Sequence, residues 1–370
     1  MTLIRRLIFH VRQQVRHPLK LATCILSRRH LFAVSMKSKV PQCAATLQGH
    51  DGTIFAVTFH PSGHILATGS SDKTAKLWLL QRDGAGDSCV STLRGHNGWV
   101  MSVAFHSSLP ILATGSSDNS ARLWQLHSNF KAASCFACLQ GHSDHVRSVA
   151  FHPLDSVLAT GSGDSTAKVW RIHRHPHTDS MSCTQLATLQ GHSSCVNSVA
   201  FHPRGSVLAT GSDDETAKLW RLDDNDATCV ATLHGNKNWV LRASSLQSSN
   251  NLVLSVAFHP SLPTLATACD DGTVKLWRLN SDVTEATCVA TLKGHGSSVY
   301  SVAFHPHAFI MMTGSEDETA KIWRLNSDST AAKCITTVQG HGSSVLSVAF
   351  HPRAPVVASG CYCSSANLWR

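Results

Sequence analysis

The stretch "GHSSCVNSVAFHPRGSVLATGSDDETAKLW" at 191–220 returns as "GHGSSVYSVAFHPHAFIMMTGSEDETAKIW" at 294–323. A chain that repeats itself this closely must fold as a series of similar units. Seven units open at Gly49, Gly95, Gly141, Gly191, Gly235, Gly294 and Gly340. A tryptophan follows 29 residues later in six of them; in the fifth the distance is 42, an insertion of 13. Within a unit, "VNSVAF" alternates and is rich in β-branched residues, "HPRG" is a turn, and "VLATGS" is a second strand. "DDET" is a tight polar turn, "AKLWRL" a third strand, and "CVATL" a fourth after a polar loop.

Four short antiparallel strands cannot bury both faces of their sheet alone, so each unit must pack against its neighbours. Seven such units predict an all-β fold: a closed, seven-bladed β-propeller of four-stranded antiparallel blades. The sequence stops at Arg370, one strand short of a full seventh unit, while "CAATLQGH" at 43–50 reads as a fourth strand with no unit before it. The N-terminal strand is therefore expected to complete the last blade, covering edges that would otherwise invite aggregation. The expected organisation is an extension over 1–42 and a propeller over 43–370.

Gly-His, a central Ser or Thr, a turn Asp and a third-strand Trp at this spacing resemble the WD-repeat β-propellers across residues 43–370. The Asp that names the family after its Trp is absent; Leu79, Gln125, Arg171, Arg221, Arg278, Arg324 and Arg370 stand there. With it goes the Trp-Asp-x-Arg motif by which some relatives dock onto a ubiquitin-ligase adaptor. A substrate-recognition subunit of such a ligase is thus the weaker alternative to a plain interaction scaffold. The resemblance implies that Trp, Thr, His and Asp of each blade form a buried hydrogen-bonded chain. The intact sets would be His50/Thr68/Asp72/Trp78, His96/Thr114/Asp118/Trp124, His142/Thr160/Asp164/Trp170, His192/Thr210/Asp214/Trp220 and His295/Thr313/Asp317/Trp323. The fifth unit has Asn236 for His, and the seventh has Cys363 for Asp.

A hydroxyl, an imidazole and a carboxylate in line also describe a nucleophilic triad. A catalyst needs one exposed site, whereas this set recurs in most units and is expected to be buried with its partners satisfied. No catalytic residue, cofactor or metal is expected. His173, His175 and His177 in "RIHRHPHTDS" (171–180), with Asp179 beside them, could hold a metal, but they read as a solvated loop between blades. The seven Phe-His pairs (His60, His106, His152, His202, His259, His305, His351) would form a ring at the far face, as turn residues a blade apart. Of the 13 cysteines, Cys43, Cys89, Cys135, Cys229, Cys288 and Cys334 are copies of one position, on different units and too far apart to pair. Cys361-Tyr362-Cys363 is too close for the usual zinc pair. The cysteines read as small apolar residues in a reducing compartment, since no secretory cleavage site is present.

Nine of the 32 Lys and Arg lie in residues 1–50, which hold no acid, leaving 23 basic against 23 acidic residues in the rest. The neutral propeller body gives no reason to expect nucleic acid as a partner. In "LIRRLIFHVRQQVR", Leu3, Ile4, Leu7, Ile8, Val11 and Val15 share one helical face opposite Arg5, Arg12 and Arg16, and Pro18 ends the pattern. An acid-free, Arg-rich amphipathic segment has the character of a transit peptide or a membrane-surface helix, with membrane or import-machinery contact as the implied role. Met36 is an alternative start that would omit it. A cytoplasmic location is expected, with nuclear, or mitochondrial if residues 1–35 act as a transit peptide, as alternatives.

The units differ most in the five residues after Gly-His and just before the turn Asp, and the family geometry puts both stretches around one mouth of the channel. Trp99 and Trp239, the two tryptophans outside the scaffold position, fall at the same variable place, and both tyrosines, Tyr300 and Tyr362, lie in such stretches. So do Met101, His145, Arg147, Asn197, Lys237, Asp270 and Glu316. Aromatics with Arg and Met beside them are the usual anchors of a protein interface, against the plainer reading of drift at surface positions. The insertion, within "NWVLRASSLQSSNNLVLSV" (238–256), must leave an innermost strand at 253–259 and would bulge over the same mouth. The expected function is a non-catalytic scaffold that presents an aromatic-rich face to a protein or peptide, as a monomer or within a heteromeric complex.

Overall fold

Each unit's alternating stretch becomes the innermost strand of a four-stranded antiparallel blade. A computed structural model describes residues 41–81, 87–175, 180–205, 207–223, 226–234 and 251–370. The amphipathic segment, His177, Asp179, Asn236, Lys237, Trp239 and the insertion up to residue 250 lie outside the described residues. Among the described residues there are 28 strands in seven sheets, and no helix long and apolar enough to cross a membrane. In blade 1 the strands are Ile54–Phe59, Ile65–Ser70, Ala75–Leu79 and Ser88–Leu93, from the channel outward. Blades 2 to 6 repeat the order, and the innermost strand of blade 5 is Val253–Phe258, directly after the insertion. Blade 7 has Val345–Phe350, Val357–Cys361 and Ala366–Trp369, and its outermost strand is Cys43–Leu47. That strand pairs antiparallel with Ala366–Trp369, placing Leu47 opposite Ala366 and Cys43 opposite Trp369.

The second strand of every blade is buried at each residue, because neighbouring blades cover both faces of the sheet. This burial explains the small residues of "LATGS". A Cβ added at Gly69 would lie 2.8 Å from Cγ1 of Val100 on the innermost strand of the next blade, so glycine is what admits that close approach. The strand's Leu66 and the third strand's Leu77 and Trp78 fill the space between sheets.

Two further devices join blade to blade. The serine of "SVAF" accepts the backbone N–H of the valine in the next blade's innermost strand: Ser102 from Val149 at 3.0 Å, Ser148 from Val199 and Ser198 from Val256 at 3.1 Å. Ser255 does so from Val302 at 3.3 Å, Ser301 from Val348 at 3.2 Å and Ser347 from Val57 at 3.1 Å. The innermost strand has a free edge on the channel, so these hydroxyls satisfy donors that no fifth strand can reach. At the seventh junction Ala56 takes the serine's place and cannot supply the bond to Val103.

The Phe-His pairs form the second device: the histidines are turn residues, as the sequence implies, and they also reach the next blade. Each imidazole meets the next blade's phenylalanine edge-on, from His60 against Phe105 at 5.0 Å round to His351 against Phe59 at 5.1 Å. The five contacts between them, at 5.1 Å each, complete a circuit of seven. His152 and His351 also bond the carbonyls of Gly205 and Gly63 across the junction, both at 2.9 Å. A correction concerns "RIHRHPHTDS": the third strand of blade 3 runs Ala167–Arg174 and pairs with Met181–Leu189, so His173 and His175 belong to one blade's hairpin and do not link two blades. His173 bonds Thr184 and His175 bonds Ser182 across that hairpin, each at 2.9 Å.

Deleting residues 1–48 removes the outermost strand of blade 7 and bares the edge of Ala366–Trp369. We expect a lower melting temperature and aggregation for that deletion, and neither for a deletion of residues 1–35; equal melting of the two would refute closure through this strand. Ala56→Ser should supply the missing junction bond and raise stability by about 0.5–1.5 kcal/mol, read as a shift in denaturant midpoint at constant slope.

Candidate binding face and its buried supports

The start of each innermost strand pairs with the end of the second strand, as Val100 does with Ser116, so Trp99 and the turn at Ser117 and Asp118 stand at one end of the blade. The Phe-His residues stand at the other. At the first end, five blades carry the complete buried chain, and every member falls where the sequence placed it. In blade 1, Trp78 Nε1–H donates to Thr68 Oγ1 at 2.9 Å, Thr68 lies 2.7 Å from His50 Nε2, and His50 Nδ1 lies 2.6 Å from Asp72. In blade 2, Trp124 donates to Thr114 at 2.9 Å, Thr114 lies 2.7 Å from His96, and His96 lies 2.8 Å from Asp118. Blade 3 joins Trp170 to Thr160 at 3.0 Å, Thr160 to His142 at 2.8 Å and His142 to Asp164 at 2.7 Å. Blade 4 joins Trp220 to Thr210 at 2.9 Å, Thr210 to His192 at 2.6 Å and His192 to Asp214 at 2.7 Å. In blade 6, Trp323 donates to Thr313 at 2.9 Å, Thr313 lies 2.7 Å from His295, and His295 lies 2.8 Å from Asp317.

The carboxylate accepts from Nδ1–H and the threonine hydroxyl donates to Nε2, which assigns the neutral tautomer. Each Asp also closes its own turn: Asp72 accepts the N–H and the hydroxyl of Thr74 at 2.9 and 2.6 Å. Burial pushes these histidines below the usual imidazole pKa, with the Asp partner pulling only partly the other way. Burial raises the aspartates, but the bonds from the turn residue and from the imidazole outweigh it and bring them down, to about 2 for Asp118 and Asp317. Thr68, Thr114, Thr160, Thr210 and Thr313 are all 0% exposed and already hold the tryptophan, while the aspartates are half-buried. In blade 5, Trp277 still donates to Thr267 at 3.0 Å and Asp271 still closes its turn on Thr273. In blade 7, Ser359 replaces the threonine and bonds both Trp369, at 2.8 Å, and His341, at 2.9 Å.

Above these supports lie the variable residues. Trp99 is 48% exposed and Tyr362 63% exposed, and Glu316 is exposed as well. Met101, His145, Arg147, Asn197 and Tyr300 are half-buried, and Trp239 is outside the described residues. Trp99 stacks on Phe55 of blade 1 with ring centres 5.7 Å apart, and Thr53 beside Phe55 donates to the Tyr362 carbonyl at 3.4 Å. A ring stack thus joins blades 1 and 2, and a hydrogen bond to the Tyr362 backbone joins blades 1 and 7. Sequence reasoning passed over Phe55, although it occupies the variable place of Met101, Arg147, Asn197 and Tyr300, which was the signal available.

Arg147 has a structural employment that its repeat did not suggest. It donates to Asn197 at 2.7 Å and pairs with Asp213 at 3.5 Å, tying blade 3 to blade 4. Asn197 in turn donates to Asp213 at 2.6 Å and to the Val253 carbonyl of blade 5 at 3.2 Å. Asp213, Asp270 and Glu316 occupy the same turn position on three consecutive blades. Burial, with Asp271 and Glu215 nearby, pushes Asp270 up to about 6 despite the Leu252 N–H bonded to it. Burial and then the Glu316 charge push the Tyr300 phenol up.

The cysteine reading divides. The six repeated cysteines are free, five of them exposed on outermost strands, and Cys269 is a free buried thiol. Cys361 and Cys363, however, are joined as a disulfide across Tyr362, which corrects their reading as apolar filler.

The sequence profile of the WD40 family (WD domain, G-beta repeat) matches seven stretches: 41–78, 87–125, 133–171, 183–221, 227–278, 286–324 and 332–370. Among curated proteins, the chain is 45% identical over 42 residues to Nuclear distribution protein nudF 1 of Talaromyces marneffei and equally to Nuclear distribution protein nudF 2 of Aspergillus clavatus. Each match takes in 11% of this chain and spans about a tenth of the relative's own length (9% and 10%). A stretch of 42 residues is the length of one repeat, so it carries the repeat and not the relatives' role.

The buried pairs give the fold a defined response to acid. The histidines have folded pKa values below 6.5, so the stability of keeping them neutral is complete above that value and declines as pH falls beneath it. The aspartates lie below 3.8 when folded, so their contribution is lost in turn as pH drops through that value toward about 2. Melting temperature is therefore expected to be level from pH 8 to 7 and to fall steadily from pH 6.5 to 4. A flat profile over that lower range would contradict the buried neutral chain.

Proposed function

The chain belongs to the WD40 family (WD domain, G-beta repeat), and from that premise we propose that it is a non-catalytic scaffold that holds a protein or peptide on the face bearing Trp99 and Tyr362. Propellers of this family mediate protein–protein interaction; the choice of face is what this chain adds. One observation carries it: two large aromatic side chains stay open to solvent on adjoining parts of a face whose scaffold gives them no work, with Phe55 held beneath Trp99. Exposed aromatics on a preformed base lose little side-chain entropy on binding and bury a large apolar area. The exposed Glu316 carboxylate would add a preference for a basic side chain in the bound segment. The hydroxyl–imidazole–carboxylate sets support this reading over an enzymatic one, because each hydroxyl is buried and already engaged by tryptophan and histidine.

A partner recovered by proximity labelling with the intact chain can be titrated against face variants. Trp99→Ala and Tyr362→Ala should each weaken binding by about 2 kcal/mol, or roughly 30-fold, with melting barely changed. Leu154→Ala, at the opposite end and 73% exposed, should bind as the parent does. Undiminished binding by both aromatic variants, or a loss only with Leu154→Ala, would place the partner elsewhere.

A further inference from the structure

Blade 7 departs from the others within a single turn. Five blades have serine at the end of the second strand, as at Ser70, and six have aspartate two residues on, as at Asp72; blade 7 has Cys361 and Cys363. The serine accepts the aspartate's N–H, at 3.2 Å in blade 1, and donates to a carbonyl of the Gly-His loop, at 3.0 Å. In blade 7 a covalent bond between the two sulfurs replaces that arrangement. Cys363 nevertheless sits in the aspartate's place: its Sγ is 3.2 Å from Ser365 Oγ, as the Asp72 carboxylate is 2.6 Å from Thr74 Oγ1.

The histidine behind this turn has lost its partner. His341 is 4% exposed and bonds Ser359 through Nε2, but its Nδ1 makes no hydrogen bond. In the five complete blades that nitrogen faces the carboxylate at 2.6 to 2.8 Å. A buried nitrogen left in this state costs free energy. The aspartate's position, 22 residues after the histidine, is held here by Cys363, whose sulfur is bonded to Cys361 for as long as the disulfide holds. Burial drives His341 down to about 4, with the Glu318 backbone carbonyl pulling the other way.

We propose that Cys361 and Cys363 are a reversible thiol–disulfide switch, opened by a low-molecular-mass thiol, in which reduction gives His341 Nδ1 the Cys363 sulfur as its missing partner. Cys363 is exposed and Cys361 fully buried, so the incoming thiolate attacks Cys363. The Cys361–Cys363 bond breaks, Cys361 leaves with the electron pair and takes up a proton, and Cys363 carries a mixed disulfide. A second thiol then attacks the small-molecule sulfur and releases Cys363 as thiolate, so two thiols are oxidised to one disulfide while two protein thiols form. The Cys363 thiolate accepts from His341 Nδ1–H as the aspartates do elsewhere, completing a chain of Cys363, His341, Ser359 and Trp369. A thiol so placed beside a histidine is more acidic than a free one.

The full chain incubated with oxidised or reduced glutathione, acid-quenched, unfolded, alkylated and mapped by mass spectrometry, tests this, since Cys361 is 0% exposed in the folded chain. Cys361 and Cys363 should resist labelling in the oxidised buffer, take two labels in the reduced one, and return to protection when re-oxidised. In Cys361→Ser, which restores the serine of five other blades, the alkylation rate of Cys363 should titrate below about 8.5, the ordinary thiol value. Cys363→Asp should melt at the same temperature in both buffers, whereas the parent should melt higher when reduced. Full labelling of both cysteines in oxidised glutathione, or a Cys363 that titrates at or above the ordinary value in Cys361→Ser, would overturn the proposal.

Discussion

Contact between neighbouring blades is the interaction on which everything else in this fold rests. A four-stranded sheet of four- to nine-residue strands has two apolar faces and no means of covering either. Only the next blade can do so, and the chain therefore commits its most uniform residues to the junction: the glycine that admits a valine, the serine that takes a valine N–H, and the histidine that meets a phenylalanine. These contacts lie at different distances along the junction, from the channel edge to the far end of the blade. Together they fix each blade's position relative to the next, and the pairing of Cys43–Leu47 with Ala366–Trp369 gives blade 7 the same number of strands as its neighbours.

The Trp–Thr–His–Asp chain works within one blade. It ties the third strand, the second strand, the Gly-His loop and the turn into one unit, so the loop and the turn are held without help from the residues between them. That division of labour is why the variable positions could vary. Trp99, Tyr362 and Glu316 are carried on a base that does not depend on them, whereas Arg147 and Asn197 have been drawn into a junction between blades.

Much of this could be read in the sequence because repetition displays a strand's period seven times over. The innermost strand after the insertion was expected at 253–259 and is found at Val253–Phe258, since "VLSVAF" can only sit beside "LATAC" in the register of the other blades. The buried sets were legible for the same reason: His, Thr, Asp and Trp keep one spacing wherever all four are present, from His96, Thr114, Asp118 and Trp124 to His295, Thr313, Asp317 and Trp323. What escaped were relations between units. Nothing in "FHP" says that the imidazole will meet the phenylalanine of the following copy, because the period along the chain is silent about distance across a junction. Arg147 and Asp213, 66 positions apart in the numbering, met for a reason that only the ring supplies. Phe55 was hidden for a different reason: an apolar residue inside an apolar strand looks like core until its neighbour's ring is found lying on it.

The places where the repetition fails are then the places where chemistry can differ. In a fold whose junctions demand uniformity, a substitution at a scaffold position must be met by some local adjustment. Blade 5 loses its histidine and keeps the tryptophan–threonine bond and the aspartate-closed turn, so half of its chain survives as separate pieces. Blade 7 loses its aspartate and acquires a covalent clasp in the same turn, which holds the loop closed but leaves the imidazole behind it unmatched. The clasp brackets Tyr362, the more exposed of the two aromatics on the face, so the one blade without a carboxylate support is also the one whose turn chemistry depends on its surroundings. A rigid ring can tolerate such a blade because the junctions on either side of it, from Ser301 to Val348 and from Ser347 to Val57, are intact.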